Sequence, residues 1–249
     1  MSRNSFMGVL SQRFGATIFI FGKILRFGFF LAFIYFLLKG TNTLAGYNFN
    51  QTLFFFLTFN LVDVVAQFLF REVYRFRPLV ISGSFDLVLT KPISALFRSL
   101  MGGADVLDLL TIPPLILAIY LVGRSLGPSP TDVLFYILLI INGLALATAF
   151  HIAVISMGII TLEIDHTIMI YRDITNLGRF PIDIYRQPLQ GILTYLIPVG
   201  IMITLPAKAL MGLVSPLGVL LSFTVGVVAV LVSIRLWNFA LTKYTSASS

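Results

Sequence analysis

Two histidines and ten carboxylates hold most of the acid–base and metal-ligating capacity of this 249-residue chain, because cysteine is absent. That absence excludes disulfides, thiol catalysis, iron–sulfur clusters and thiolate zinc sites. The tightest grouping of ligand types is Glu163, Asp165 and His166. It lacks the further histidine or carboxylate that a catalytic metal requires, so it reads as a solvated or interfacial turn. His151 stands alone in an apolar run, where a helix–helix contact is the simpler reading than a proton relay. There is no H-E-x-x-H, no G-x-S-x-G and no phosphate-binding P-loop. No catalytic residue, cofactor or metal is expected, which weighs against an intramembrane enzyme. Asn60, Asp63 and Gln67 are spaced three and four apart and share one face of a helix. An ionisable group at membrane depth is costly and marks a functional candidate. These three residues and His151 are candidate pathway or dimer contacts, with a structural interhelical hydrogen bond as the alternative.

The elements that carry them are membrane helices. The chain is 58% hydrophobic and 11% charged, against roughly 45–50% apolar and 25% charged residues in soluble domains. Its apolar residues fall in runs near the ~20 residues that cross a bilayer. The net charge of +7 is spread over short segments between those runs, a topology signal and not a nucleic-acid face. Lipid is the expected surrounding, and no nucleic-acid partner is expected. No cleavable leader is apparent, since the first apolar run is long and lacks an A-x-A-like exit.

Residues 1–21 place Phe6, Leu10, Phe14, Ile18 and Phe21 three or four apart, with Arg3, Arg13 and Lys23 interspersed. That pattern predicts an interfacial amphipathic helix. Spans are expected at about 24–38, 53–70, 106–122 (bent at Pro113-Pro114), 132–155 and 216–237, with Trp237 and Tyr244 as headgroup anchors. Residues 163–212 admit two placements of a fifth span, 160–178 or 189–205. With the second, all but Lys39, Arg124 and Lys208 of the 17 basic residues lie on one side. The positive-inside rule then puts both termini in the cytoplasm. The result is an all-α membrane protein of six transmembrane helices in a single domain over 1–249. No internal repeat points to an ion-coupled secondary carrier.

Residues 71–104 form the longest polar excursion before the midpoint. Within them, Gly83-Ser84 can end one element and cap the next, Asp86 suits a first helical turn, and Pro92 closes a helix of about two turns. Phe85 and Leu89, four apart, are expected on one face, with Val88 beside them. So short a helix needs something to dock on, either a partner protein or its own bundle.

The run Ile81-x-Gly83-x-Phe85-Asp86-x-x-Leu89-x-Lys91-Pro92 resembles the inner-loop signature of type-2 ABC exporter permeases. The resemblance is to the branch of small six-span permeases. It continues in Gly178-x-Phe180-Pro181-x-Asp183-x-Tyr185, in Tyr195-x-Ile197-Pro198, in Pro206-Ala-x-x-Leu210-x-Gly212, and in Leu236-Trp237 with Lys243-Tyr244. It implies a permease subunit with no chemistry of its own, in a prokaryotic inner membrane. Gly83, Phe85, Asp86, Leu89, Lys91 and Pro92 would form a cytoplasmic coupling helix seated on a separate ABC ATPase subunit. A second permease subunit, a sister chain in preference to an identical copy, would complete the pathway. The resemblance also implies a fifth span at 160–178, followed by a re-entrant outer hairpin over 180–213.

Overall fold

The computed structural model describes residues 13–103, 106–162 and 164–245. The helices are α1 (Arg13–Thr41), α2 (Phe49–Phe70), α3 (Phe76–Ile81), α4 (Asp86–Leu89), α5 (Ala95–Met101), α6 (Val106–Ser125), α7 (Pro130–Thr161) and α8 (Ile164–Asn176). They continue as α9 (Leu189–Leu196), α10 (Gly200–Leu210) and α11 (Pro216–Lys243). A 3-10 turn, Arg71–Arg75, joins α2 to α3, and two more follow α8 at Leu177–Arg179 and Ile182–Ile184. No strand occurs among the described residues; one isolated bridge, Leu44 to Tyr47, closes the α1–α2 turn. Five helices are long and apolar enough to cross a membrane, or six if the α9–α10 pair counts as one span. This is an all-α membrane protein.

Helix starts at the end of the bundle remote from α4 are capped by side chains. Asn48 and Gln51 form a reciprocal capping box on α2, and Ser129 and Asp132 form one on α7. Each box satisfies amides that lipid could not. Residues 13–21 are the first turns of α1, continuous with the expected span. Arg and Lys are good helix formers, and single glycines do not end a helix of this length. Residues 1–12 lie outside the described residues. α6 runs unbroken through Pro113 and Pro114.

Helix α7 is the centre of the packing. The Asn142 Nδ2 amide donates to the Ser222 carbonyl at 2.9 Å. Gly226 sits so close that a Cβ there would lie 2.0 Å from Asn142 Oδ1. A Cβ at Gly143 would lie 2.5 Å from the Met202 carbonyl oxygen of α10. Helices in lipid gain nothing from excluding water, so close backbone approach at small residues and interhelical hydrogen bonds hold them together.

Leu139 clusters with Val219, Asn142 meets Ser222, and Ile155 clusters with Trp237. Helices α7 and α11 therefore run in the same direction, and the chain between them has to return along the bundle. It turns at Leu162, whose φ is +59°. Tyr171 of α8 then packs on Phe150 and His151 of α7, ring centroids 5.7 and 4.7 Å apart. Phe180 reaches Phe30 of α1 at 5.4 Å. Residues 189–210 form the other candidate, two short helices bent by 76° about Ile197-Pro198. The 13 residues of α8 are about 20 Å long, short of the ~30 Å hydrocarbon core.

The Gly143–Met202 contact is backbone against backbone and cannot relax by a rotamer change. Gly143→Val is expected to cost about 1–3 kcal/mol through overpacking, measured as a lowered unfolding temperature in detergent. Gly127→Ala, with open space around the site, tests only its positive φ and should cost about 1 kcal/mol.

Candidate functional site

The loop after α2 folds back on its own bundle. Gly83 takes φ +70°, a left-handed turn that favours glycine, and the Phe85 amide donates to the Leu79 carbonyl at 2.9 Å. Helix α4 is one turn long, shorter than expected, and no side chain caps its amides. The Ser82 hydroxyl bonds the Ser84 hydroxyl at 2.8 Å, leaving the expected Ser84 cap unmade.

Phe85 precedes the first turn and points inward. It is fully buried, with ring centroids 5.2 Å from Phe76, 6.3 Å from Trp237 and 5.1 Å from Tyr244. Phe85 has helical dihedrals and accepts the Leu89 amide at 3.1 Å, yet it is buried while Leu89 is exposed, so of the two readings of this face Phe85 follows the one in which the loop packs on its own bundle. Val88 is also buried, whereas Ile81, Leu87, Leu89, Ile93 and Phe97 are exposed. Lys91 and Pro92 follow them on the exposed rim. Trp237, only 3% exposed, is a packing residue of this anchor and not a headgroup anchor. Tyr244 packs edge-on against the same Phe85 ring. Burial, and then the neighbouring Asp86 carboxylate, raise the pKa of the Tyr244 hydroxyl.

The second feature is a cleft of about 690 Å³ between α1, α2 and α6, closed on one side by Arg179. Asn60, Asp63 and Gln67 all line it, as their spacing predicts. The Asn60 amide donates to the Phe56 carbonyl of its own helix at 2.7 Å. Asp63 forms no ion pair among the described residues. A smaller space of about 390 Å³ continues the cleft toward the Arg71–Arg75 turn and α8, sharing Lys23, Arg26 and Gln67 and adding Arg71, Tyr74, Asp108 and Arg172. Lys23 is paired with Asp108. The cations of this cleft were missed in the sequence, where they read only as topology markers. Arg26 three residues after Lys23 was the available signal.

His151 is not in the cleft. It is buried between Phe70 and Tyr171, both at 4.7 Å, with Nδ1 bonded to the Ala147 carbonyl at 2.7 Å. Glu163 and Asp105 lie outside the described residues, and Asp165 pairs with Arg77 at 2.9 Å. At the opposite end, Asp183 accepts from Lys208 Nζ at 2.7 Å, from the Tyr47 hydroxyl at 3.2 Å and from Gln190 at 3.4 Å. This cluster ties the α1–α2 turn to the bent pair. Burial, and then the Asp183 charge and hydrogen bond, raise the Tyr47 pKa above its ordinary 10.0.

Two predictions follow from these contacts. Phe85→Ala should remove about 3 kcal/mol of loop anchoring and speed backbone amide hydrogen exchange over residues 79–91, whereas Leu87→Asp should leave that exchange unchanged. The Tyr47 contribution is complete below pH 10 and is lost as pH rises through the higher folded value. Tyr47→Phe should thus lower stability by about 0.5–1.5 kcal/mol at neutral pH and flatten the loss of stability above pH 10, read from unfolding temperature against pH.

A family model described as "ABC-2 family transporter protein" matches residues 24–248. No curated protein and no solved structure matches the chain. The match runs from the middle of α1 through the loop, the cleft helices, the bent pair and α11. With nearly the whole chain covered in one alignment, the protein belongs to the ABC-2 family of membrane transporter proteins.

Proposed function

We propose that the chain is the permease subunit of an exporter driven by a separate ABC ATPase. The observation that carries this reading is the two-sided loop. Phe85 and Val88 lock it to α11 and α3, while Leu87 and Leu89 are exposed among the described residues and form an apolar face. A surface of that kind, rigidly joined to spanning helices, can transmit a partner's change of state into the membrane. Transmission requires that the partner's two states contact the loop differently. Gly83 shapes the turn, Asp86 lies at the helix start, and Lys91 and Pro92 form the rim of the docking face. Phe85 acts from beneath as the anchor.

The loop lies in the cytoplasm, as do both termini, in the inner membrane of a prokaryote. Placing α8 and the chain through Asp183 as the fifth crossing supports this orientation. Thirteen helical residues, the first 3-10 turn, two extended residues and the start of the second 3-10 turn reach roughly 36 Å, enough for the hydrocarbon core. Arg186 then joins Lys39, Arg124 and Lys208 at the outer end, and the basic excess remains on the loop side. The α9–α10 pair, the core of the 180–213 segment, is a re-entrant hairpin that begins beyond Asp183 and ends at Gly212. A second permease subunit completes the pathway, and resemblance to permeases that work in pairs favours a sister chain. The exposed Arg172 and Asp173 on α8 support such a partner, because lipid would penalise charges left facing it.

The test is a detergent pull-down from native membranes with wild type and a Leu87→Asp, Leu89→Asp double variant. An ATPase subunit should copurify with wild type and be lost from the folded variant. Undiminished copurification with the variant would overturn the docking assignment. Absence of any ATPase from folded wild type would overturn the permease reading.

A further inference from the structure

We propose that the cleft between α1, α2 and α6 is a binding site for an acidic amphiphile drawn from the bilayer, its anionic headgroup held by Arg26 and Arg179. The first support is the balance of charge. Lys23, Arg26, Arg71, Arg172 and Arg179 line the cleft and its extension, against the carboxylates of Asp63 and Asp108. Asp108 is already paired with Lys23. No carboxylate lies within ion-pair distance of Arg26, Arg172 or Arg179 among the described residues. Arg179 is within electrostatic reach of Arg26 and Arg172 as well as Asp63. Its Nε is buried without a hydrogen-bond partner, and its guanidinium lies 5.6 Å from the centre of the Phe59 ring. Like charges gathered in a poorly hydrated space repel one another, and an anion placed among them relieves that cost.

The second support is a gradient that three helices share. Along α1 the lining passes from Lys23 and Arg26 to Phe27 and Leu31. Along α2 it passes from Gln67 and Asp63 to Phe56, and along α6 from Thr111 to Leu115 and Ala118. The charges of α1 and α2 thus lie toward the loop, with Ile20, Ile24 and Leu110 among them, Arg179 sits beside Phe59, and the lining at Phe56, Leu115 and Ala118 is apolar. A lipid lies in a bilayer with the same polarity. A free anion would leave the apolar part of the cleft unused, and the volume suits a ligand larger than a bare ion. Asn60 and Gln67 offer further hydrogen-bond donors beside the headgroup position.

Binding does not depend on the permease reading, although identifying the amphiphile as cargo rests on that reading. The test is equilibrium binding of radiolabelled dodecyl phosphate to the purified full-length protein in a neutral detergent. Dodecylphosphocholine and inorganic phosphate serve as competitors. Saturable binding is expected, weakened about tenfold to a hundredfold in Arg179→Gln and Arg26→Gln, with partial recovery in Arg179→Lys. Arg124→Gln, outside the cleft, should bind like wild type. Equal displacement by dodecylphosphocholine, or wild-type affinity in both glutamine variants, would overturn the assignment. Displacement by inorganic phosphate at matched concentration would make it a free-anion site and overturn the amphiphile. Arg26 is exposed, so Arg26→Gln carries the test should Arg179→Gln fail to fold. Loss of binding with retained ATPase copurification would leave the permease reading intact.

Discussion

Two neighbouring helices that run the same way cannot be joined by a short turn, and the arrangement between α7 and α11 follows from this. Their parallel contact is made at Asn142, Ser222 and Gly226, where a side-chain amide and a missing Cβ let the backbones meet. The chain between them must travel back along the bundle before α11 begins. It does so through α8, the turn at Arg179 and the bent α9–α10 pair, and α10 closes against Gly143 on the same central helix. The direction of α11 also determines the loop anchor, since it delivers Trp237 and Tyr244 to the end where Phe85 lies.

The parts legible in the sequence were those whose signal is local. Long apolar runs gave α2, α6, α7 and α11, and turn residues marked their starts. Gly83 and Pro92 bounded the loop helix, and the spacing of Asn60, Asp63 and Gln67 placed them on one surface. What depended on distant partners was not legible. The inward turn of Phe85 is decided by Trp237 and Tyr244, which local periodicity does not report. Helix α8 carries Asp165, His166, Arg172 and Asp173 within 13 residues, so its composition argued against the path it takes. The cations of the cleft had a ready explanation as topology markers, and only the meeting of α1, α2 and Arg179 in space shows them sharing one volume.

The loop and the cleft are linked through α2 and α3. Asn60, Asp63 and Gln67 lie on the same continuous helical stretch, Phe49–Ile81, that leads into the loop and its Phe85 anchor. A force applied at Leu87 and Leu89 would therefore reach the cleft through a helix and not through a flexible tether. Glu72 and Arg98, 3.7 Å apart and mostly buried, brace that passage by joining the 3-10 turn to α5. Such a route is a physical connection between the two sites and gives the transport reading its mechanical content.

Because the chain has no cysteine, single introduced thiols can report which side of the membrane each segment faces. The most direct measurement is labelling of Leu162→Cys, Arg186→Cys and Leu213→Cys in sealed vesicles by a membrane-impermeant maleimide. All three positions are exposed. If the return crossing is α8 and the chain through Asp183, Arg186→Cys and Leu213→Cys label from one side and Leu162→Cys from the other. If Arg186→Cys labels together with Leu162→Cys, the crossing lies in the α9–α10 pair and the account of the bundle given above is contradicted.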